Sequence, residues 1–108
     1  MQNQVEGVVD QGQRVVVIED LISTGMSSLR AVEALKETGC HVVGMVAIFT
    51  YGFEHAKENF RNYKCPLYTL SDYDSMIETA VEKEYINSED IESLKSWRRD
   101  PANWNVLV

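Results

Sequence analysis

The sequence is short of several things, and each scarcity narrows what the chain can be. It has two cysteines, Cys40 and Cys65, far apart in the chain. They form no CxxC spacing and no Cys/His cluster, which argues against a zinc site. Two buried or half-buried free thiols in a reducing cytoplasm are the expectation. No apolar run approaches the roughly 20 residues that a membrane span needs. The N-terminus is polar and does not read as a signal peptide. Positive charge is scarce: ten Lys and Arg stand against seventeen Asp and Glu, for a net charge of −7. That balance argues against a general binder of nucleic acid or membrane surfaces. It leaves open a small anion held locally by backbone amides. Aromatic residues are missing from the first part of the chain, since all of them lie at Phe49 or later.

What is present fits one globular domain. A chain of 108 residues, 44% hydrophobic and 25% charged, can bury a core without disulfides or metals. Residues 1–13 are polar and read as a connecting segment, with one short strand near Val8. The run "RVVVI" (14–18) is apolar and β-branched, the pattern of a central parallel strand buried on both faces. From Ser27 the period becomes helical, through Leu29, Val32 and Leu35, and Gly39 marks the end. A second apolar strand, "HVVGMVAIF", follows from His41. Residues 14–49 are therefore strand, helix, strand: a βαβ unit with parallel strands.

Beyond "TYGFEH", the residues Phe53, Ala56, Phe60 and Tyr63 share one face of a helix. "CPLYTL" predicts a third strand with Pro66 at its start. "SDYDSMIETAVEKEYI" reads as a helix in which Ser71 and Asp74 have capping-box spacing and Tyr73, Ile77, Ala80 and Val81 form the apolar face. In a last helix, Asn87 or Ser88 is the candidate cap, Arg98 and Arg99 suit the C-terminal dipole, and Asp100-Pro101 is the stop. Three strands are few for an open parallel sheet. The expectation is an α/β chain that forms the C-terminal part of a larger domain.

The chemistry concentrates in "VVVIEDLISTGMSS" (15–28). Glu19 and Asp20 sit where the strand is predicted to end, the side of an open α/β sheet on which ligands bind. Two ionised carboxylates accept hydrogen bonds from vicinal hydroxyls of a sugar or from a hydrated Mg²⁺. Ser23-Thr24-Gly25-Met26-Ser27 leads into a helix N-terminus, with its free N–H groups and partial positive charge. Gly25 permits a left-handed backbone. Such a loop can cradle a monophosphate without lysine or arginine. Carboxylates for a ribose beside amides for its phosphate describe a phosphorylated pentose. A plain strand–turn–helix junction with Ser or Thr as N-cap is the alternative reading.

Residues 15–27, "VVVIEDLISTGMS", resemble the phosphoribosyl-pyrophosphate (PRPP) motif of type I phosphoribosyltransferases. With "TYGF" and the "WRRDP" tail, the likeness extends to the C-terminal half of bacterial orotate phosphoribosyltransferases and covers nearly the whole chain, residues 1–108 as one domain. It implies an incomplete parallel-sheet, Rossmann-like phosphoribosyltransferase fold with C-terminal helices. It also implies that Glu19 and Asp20 meet the ribose hydroxyls as the catalytic acids. The PRPP ribose 5-phosphate site would run through Glu19, Asp20, Leu21, Ile22, Ser23, Thr24, Gly25, Met26 and Ser27. Ser23 would also touch orotate.

The activity implied is transfer of the ribose 5-phosphate from PRPP to orotate, with Mg²⁺ entering on PRPP, in a cytoplasmic homodimer without nucleic-acid or membrane partners. Met26 stands where many relatives have glycine. The strand-end arginine that grips the orotate carboxylate in some relatives is replaced here by "IFTYGFEH". The basic residues that meet the leaving pyrophosphate have no counterpart in residues 1–13. The isolated chain is therefore expected to show little or no turnover. Transfer to another base and a non-catalytic PRPP sensor are the competing functions.

Overall fold

A computed structural model describes residues 7–104. It contains strand β1 (Arg14–Ile22), helix α1 (Met26–Glu37), strand β2 (His41–Thr50), helix α2 (Glu54–Asn62), strand β3 (Leu67–Asp72), helix α3 (Tyr73–Glu82) and helix α4 (Ile91–Arg99). Short 3-10 turns cover Ser88–Asp90 and Pro101–Asn103. The strands form one parallel sheet in the order β1-β2-β3. The α/β parallel architecture read from the hydrophobic pattern is the observed one.

One face of this sheet carries the core. Met45 and Ala47 of β2 pack with Leu29 and Val32 of α1, and with Ala56 and Phe60 of α2. Ile22, at the end of β1, is fully buried in the same cluster. Each large apolar side chain fully buried there stabilises the fold by about 1.5–3 kcal/mol. Helix α1 ends where Gly39 takes φ of 90°. Its N–H donates to the Lys36 carbonyl at 3.0 Å. A residue with a Cβ is strained in that conformation, so glycine is the residue that ends this helix cleanly.

The opposite face is bare. Val16, Ile18, Ile48, Tyr68 and Leu70 are exposed; Ile18 is 71% and Leu70 78% accessible. Two expectations for β1 are corrected by this. The strand is at the edge of the sheet, with β2 in the middle, and it is covered on one face. Nothing among the described residues lies over Val16 and Ile18, so their apolar character does not translate into burial. The strand also runs four residues past Ile18, to Ile22. Its register with β2 shifts between Val15 and Val16, because Val15 pairs with Val42 and Val16 with Gly44.

Two smaller corrections concern local structure. No strand forms at Val8, which is exposed. The segment instead turns, with the Gln13 N–H donating to Asp10 and the Gly12 N–H to the Gly39 carbonyl. Helix α3 is capped by Asp72, not by a Ser71–Asp74 box: the Asp72 carboxylate accepts from the Ser75 N–H at 2.8 Å. That bond holds the Asp72 carboxyl below its ordinary pKa. Of the two caps proposed for the last helical segment, Asn87 is used, in a reciprocal pair with Asp90.

The aromatic residues tie α4 to the sheet. Tyr51 stacks on Phe53 with ring centroids 5.4 Å apart, and Trp97 lies 5.6 Å from Tyr51 and 5.5 Å from Tyr73. The Tyr73 hydroxyl donates to the Leu94 carbonyl at 2.9 Å. Both cysteines are buried and free. Burial pushes the Cys65 thiol up, and nearby Lys36 opposes this only in part, so it is a poor nucleophile.

Candidate functional site

The loop after β1 owes its shape to Gly25. This residue is the N-cap of α1, at φ 82° and ψ 1°. A Cβ at this position would collide with the ring of Phe60. Glycine is therefore required twice, by backbone conformation and by the neighbouring ring. The alternative of a Ser or Thr N-cap is not what forms. Thr24 Oγ1 instead accepts from the Met26 N–H, at 3.4 Å.

The first turn of α1 has no acidic residue, whereas α2 carries Glu54 and α3 Asp74 in theirs. No carboxylate within the first turn of α1 thus compensates the positive end of its dipole. Around it, Ser23, Thr24 and Ser27 are exposed, Met26 is half-buried, and Gly25 and Ser28 are buried. Three exposed hydroxyls therefore flank the start of the helix. Such a surface accepts an anion.

Glu19 and Asp20 lie within β1 rather than beyond its end. Glu19 is half-buried beside Ala47 of β2, and Asp20 is exposed. Asp20 Oδ1 accepts from the Leu21 N–H at 2.7 Å, which leaves its other oxygen for a ligand. Strict alternation of burial breaks here, since Asp20 and Leu21 are both exposed. Leu21 keeps its place on the accessible part of the segment. Ile22 does not: its side chain is in the core, and its carbonyl accepts from the Tyr51 N–H at 3.2 Å.

A cavity of about 330 Å³ adjoins the loop, with Thr24, Phe53, His55, Arg98 and Pro101 on its wall. Thr24 is the single residue of the 19–27 segment that lines it. Arg98 reaches this region from α4 and is bound to Asp74 Oδ2 at 2.6 Å. Its guanidinium also sits 5.7 Å from the Tyr73 ring centre. Arg99 lines the cavity too and is paired with Glu92 at 3.3 Å, so both arginines on its wall already have a carboxylate partner. Among the described residues no group of three or more His, Cys, Asp or Glu side chains is placed to hold a metal.

Sequence reasoning missed two residues here. Asn59 of α2 donates from Nδ2 to the Thr24 carbonyl at 3.0 Å, and Phe60 packs on Gly25. Phe60 was legible as helix core but not as a wall of the loop. Asn59 gave no signal, because a hydrogen bond to a backbone group 35 residues away leaves no local pattern.

No protein-family model matches the chain. It is 52% identical, over 98% of its length, to an orotate phosphoribosyltransferase of Bacteroides thetaiotaomicron. The match takes in 50% of that protein, so the chain spans about half the length of the curated relatives it matches. The fold is similar to that of an orotate phosphoribosyltransferase from Aeropyrum pernix, with a TM-score of 0.61 and 30% identity over 77% of this chain and 46% of that one. A second similar structure is the orotate phosphoribosyltransferase of Mycobacterium tuberculosis H37Rv in complex with PRPP. Its TM-score is 0.58, with 32% identity over 64% of this chain and 41% of that one.

Proposed function

Because the chain belongs to the orotate phosphoribosyltransferase family and corresponds to about half of such an enzyme, we propose that it carries the part of the site that binds the ribose 5-phosphate of PRPP. The observation that carries this reading is the loop itself. A left-handed Gly25 opens a helix with no acid in its first turn, directly after two carboxylates and among exposed hydroxyls. The phosphate would sit on the N–H groups of residues 25–28, with Ser23, Thr24 and Ser27 adding hydroxyl donors. Glu19 and Asp20 would accept from the ribose hydroxyls.

In the complete enzyme, the reaction forms a bond from a ring nitrogen of orotate to the anomeric carbon. The bond from that carbon to the pyrophosphate oxygen breaks, and its electron pair leaves with pyrophosphate. Positive charge develops on the ribose, and the carboxylates at 19 and 20 stabilise it while holding the ring in place. Magnesium, if it enters with PRPP, would supply charge neutralisation for the leaving pyrophosphate, with Glu19 and Asp20 facing its water shell. Ser23, which is exposed, would contact the base. A cytoplasmic homodimer is part of the same reading, drawn from the resemblance.

Calorimetry on the chain with PRPP and magnesium, and with inorganic phosphate, tests the site. Both ligands are expected to bind and PRPP more tightly; no binding of either would remove the proposal. A product assay with orotate, uracil, hypoxanthine and adenine tests the chemistry. The expected result is orotate-dependent turnover when the rest of the enzyme is supplied and none from this chain alone.

A further inference from the structure

Resting on the phosphate site just proposed, we propose that Asn59 is a positioning residue for that site. Its amide fixes which way the Thr24–Gly25 peptide faces. The Thr24 carbonyl accepts from Asn59 Nδ2 at 3.0 Å and so points toward α2. The described residues contain no cis peptide bond. In a trans peptide the N–H lies opposite the carbonyl. Holding the carbonyl against α2 therefore directs the Gly25 N–H away from α2 and keeps it out of any bond to that helix.

The neighbourhood makes this a lock rather than a passing contact. Asn59 is half-buried, and the next residue, Phe60, is 5% exposed in the core. The donor is thus anchored to a helix that cannot shift without opening the core. The Phe60 ring also closes the space beside Gly25. A glycine at φ 82° would otherwise be the most freely rotating point of the loop. A mid-helix asparagine is neutral to unfavourable for helix stability, so its role is better sought in its side-chain bond. Donation into the Thr24 carbonyl also polarises the peptide and strengthens the N–H that an anion would meet.

The test is an NMR titration of the full ¹⁵N-labelled chain with inorganic phosphate. In the unsubstituted protein the amides of Gly25, Ser27 and Ser28 are expected to shift together. In Asn59→Leu, phosphate affinity is expected to fall about 3- to 10-fold, in the range of one lost hydrogen bond. The Gly25 shift should shrink while those of Ser27 and Ser28 persist, a selectivity that general loosening of the fold would not produce. Equal affinity and an equal Gly25 response in Asn59→Leu would overturn the inference. Should that variant fail to fold, the scalar coupling across the hydrogen bond from Asn59 Nδ2 to the Thr24 carbonyl carbon decides the matter in the unsubstituted chain. Its presence supports the lock and its absence removes it. If no loop amide of the unsubstituted chain responds to phosphate, the phosphate site itself fails and the role of Asn59 falls with it.

Discussion

The ring of Phe60 occupies the space that a side chain at Gly25 would need. A loop read in the sequence as a ligand cradle is therefore also a packing junction between α1 and α2. Gly25→Ala faces two penalties: a left-handed backbone for a residue with a Cβ, and overpacking against a core ring. The expected loss of stability is about 2–4 kcal/mol, read as a lower midpoint in urea unfolding. A midpoint within error of the unsubstituted chain would show that the contact is not rigid.

Asp20 sits on the exposed side of β1, so replacing it should spare the fold. Asp20→Asn keeps an acceptor for the Leu21 N–H and removes the charge. Stability is expected to stay within about 0.5 kcal/mol, while PRPP affinity measured by calorimetry falls by about tenfold, the loss of one charge-assisted hydrogen bond. A sharp drop in melting temperature with unchanged PRPP binding would reverse that assignment.

The loop and strands show where sequence reasoning reaches and where it stops. The βαβ order, the parallel pairing and Gly25 in a left-handed conformation were all legible, because each rests on local period or on one residue's backbone preference. Burial was not. Val16 and Ile18 are as apolar as any core residue, and a sequence cannot say which face of a sheet has a covering layer. The cap of α3 was misplaced by one residue, since Ser71, Asp72 and Asp74 all suit the role and only the backbone turn selects among them. Asn59 and Arg98 reach the site across the fold, and distance along the chain hides such pairs.

The cap at Asp72 has a pH signature. Its folded-state pKa is depressed, first by the backbone hydrogen bond from Ser75. A depressed carboxyl stabilises the fold above its unfolded pKa near 3.8, and this stabilisation is lost as pH falls through the folded value. Asp72→Asn retains a capping oxygen that does not titrate. Urea midpoints of the two proteins at pH 6 and pH 3 are expected to converge or cross as the pH drops. Parallel pH profiles would mean that the cap does not carry the acid sensitivity.

Trp97 joins Tyr51, Phe53 and Tyr73 and so holds α4 against the loop that follows β2. Trp97→Ala should cost about 3 kcal/mol, near the lower end for large aromatic deletions because the residue is only half-buried. Trp97→Phe should cost less, since it keeps a ring. Near-ultraviolet circular dichroism should report the loss of the cluster in the alanine variant, while far-ultraviolet signal from α1 and the strands persists. If both variants unfolded at the midpoint of the unsubstituted chain, α4 would be an appendage rather than part of the cooperative unit.

The bare face of the sheet sets the behaviour of the chain in solution. Ile18, Ile48, Tyr68 and Leu70 are all more than half exposed, and they lie on one face across the three strands. Such a surface favours association with any complementary apolar face. Sedimentation velocity is expected to show concentration-dependent self-association of the 108-residue chain. Ile18→Lys combined with Leu70→Glu should suppress it without lowering the urea midpoint, because neither side chain lies in the core cluster. The two positions are on different strands with β2 between them, so the paired charges interrupt the apolar face at both sides. Persistent association of the double variant would place the contact elsewhere. A fallen midpoint would mean that these residues already pack against something within the chain.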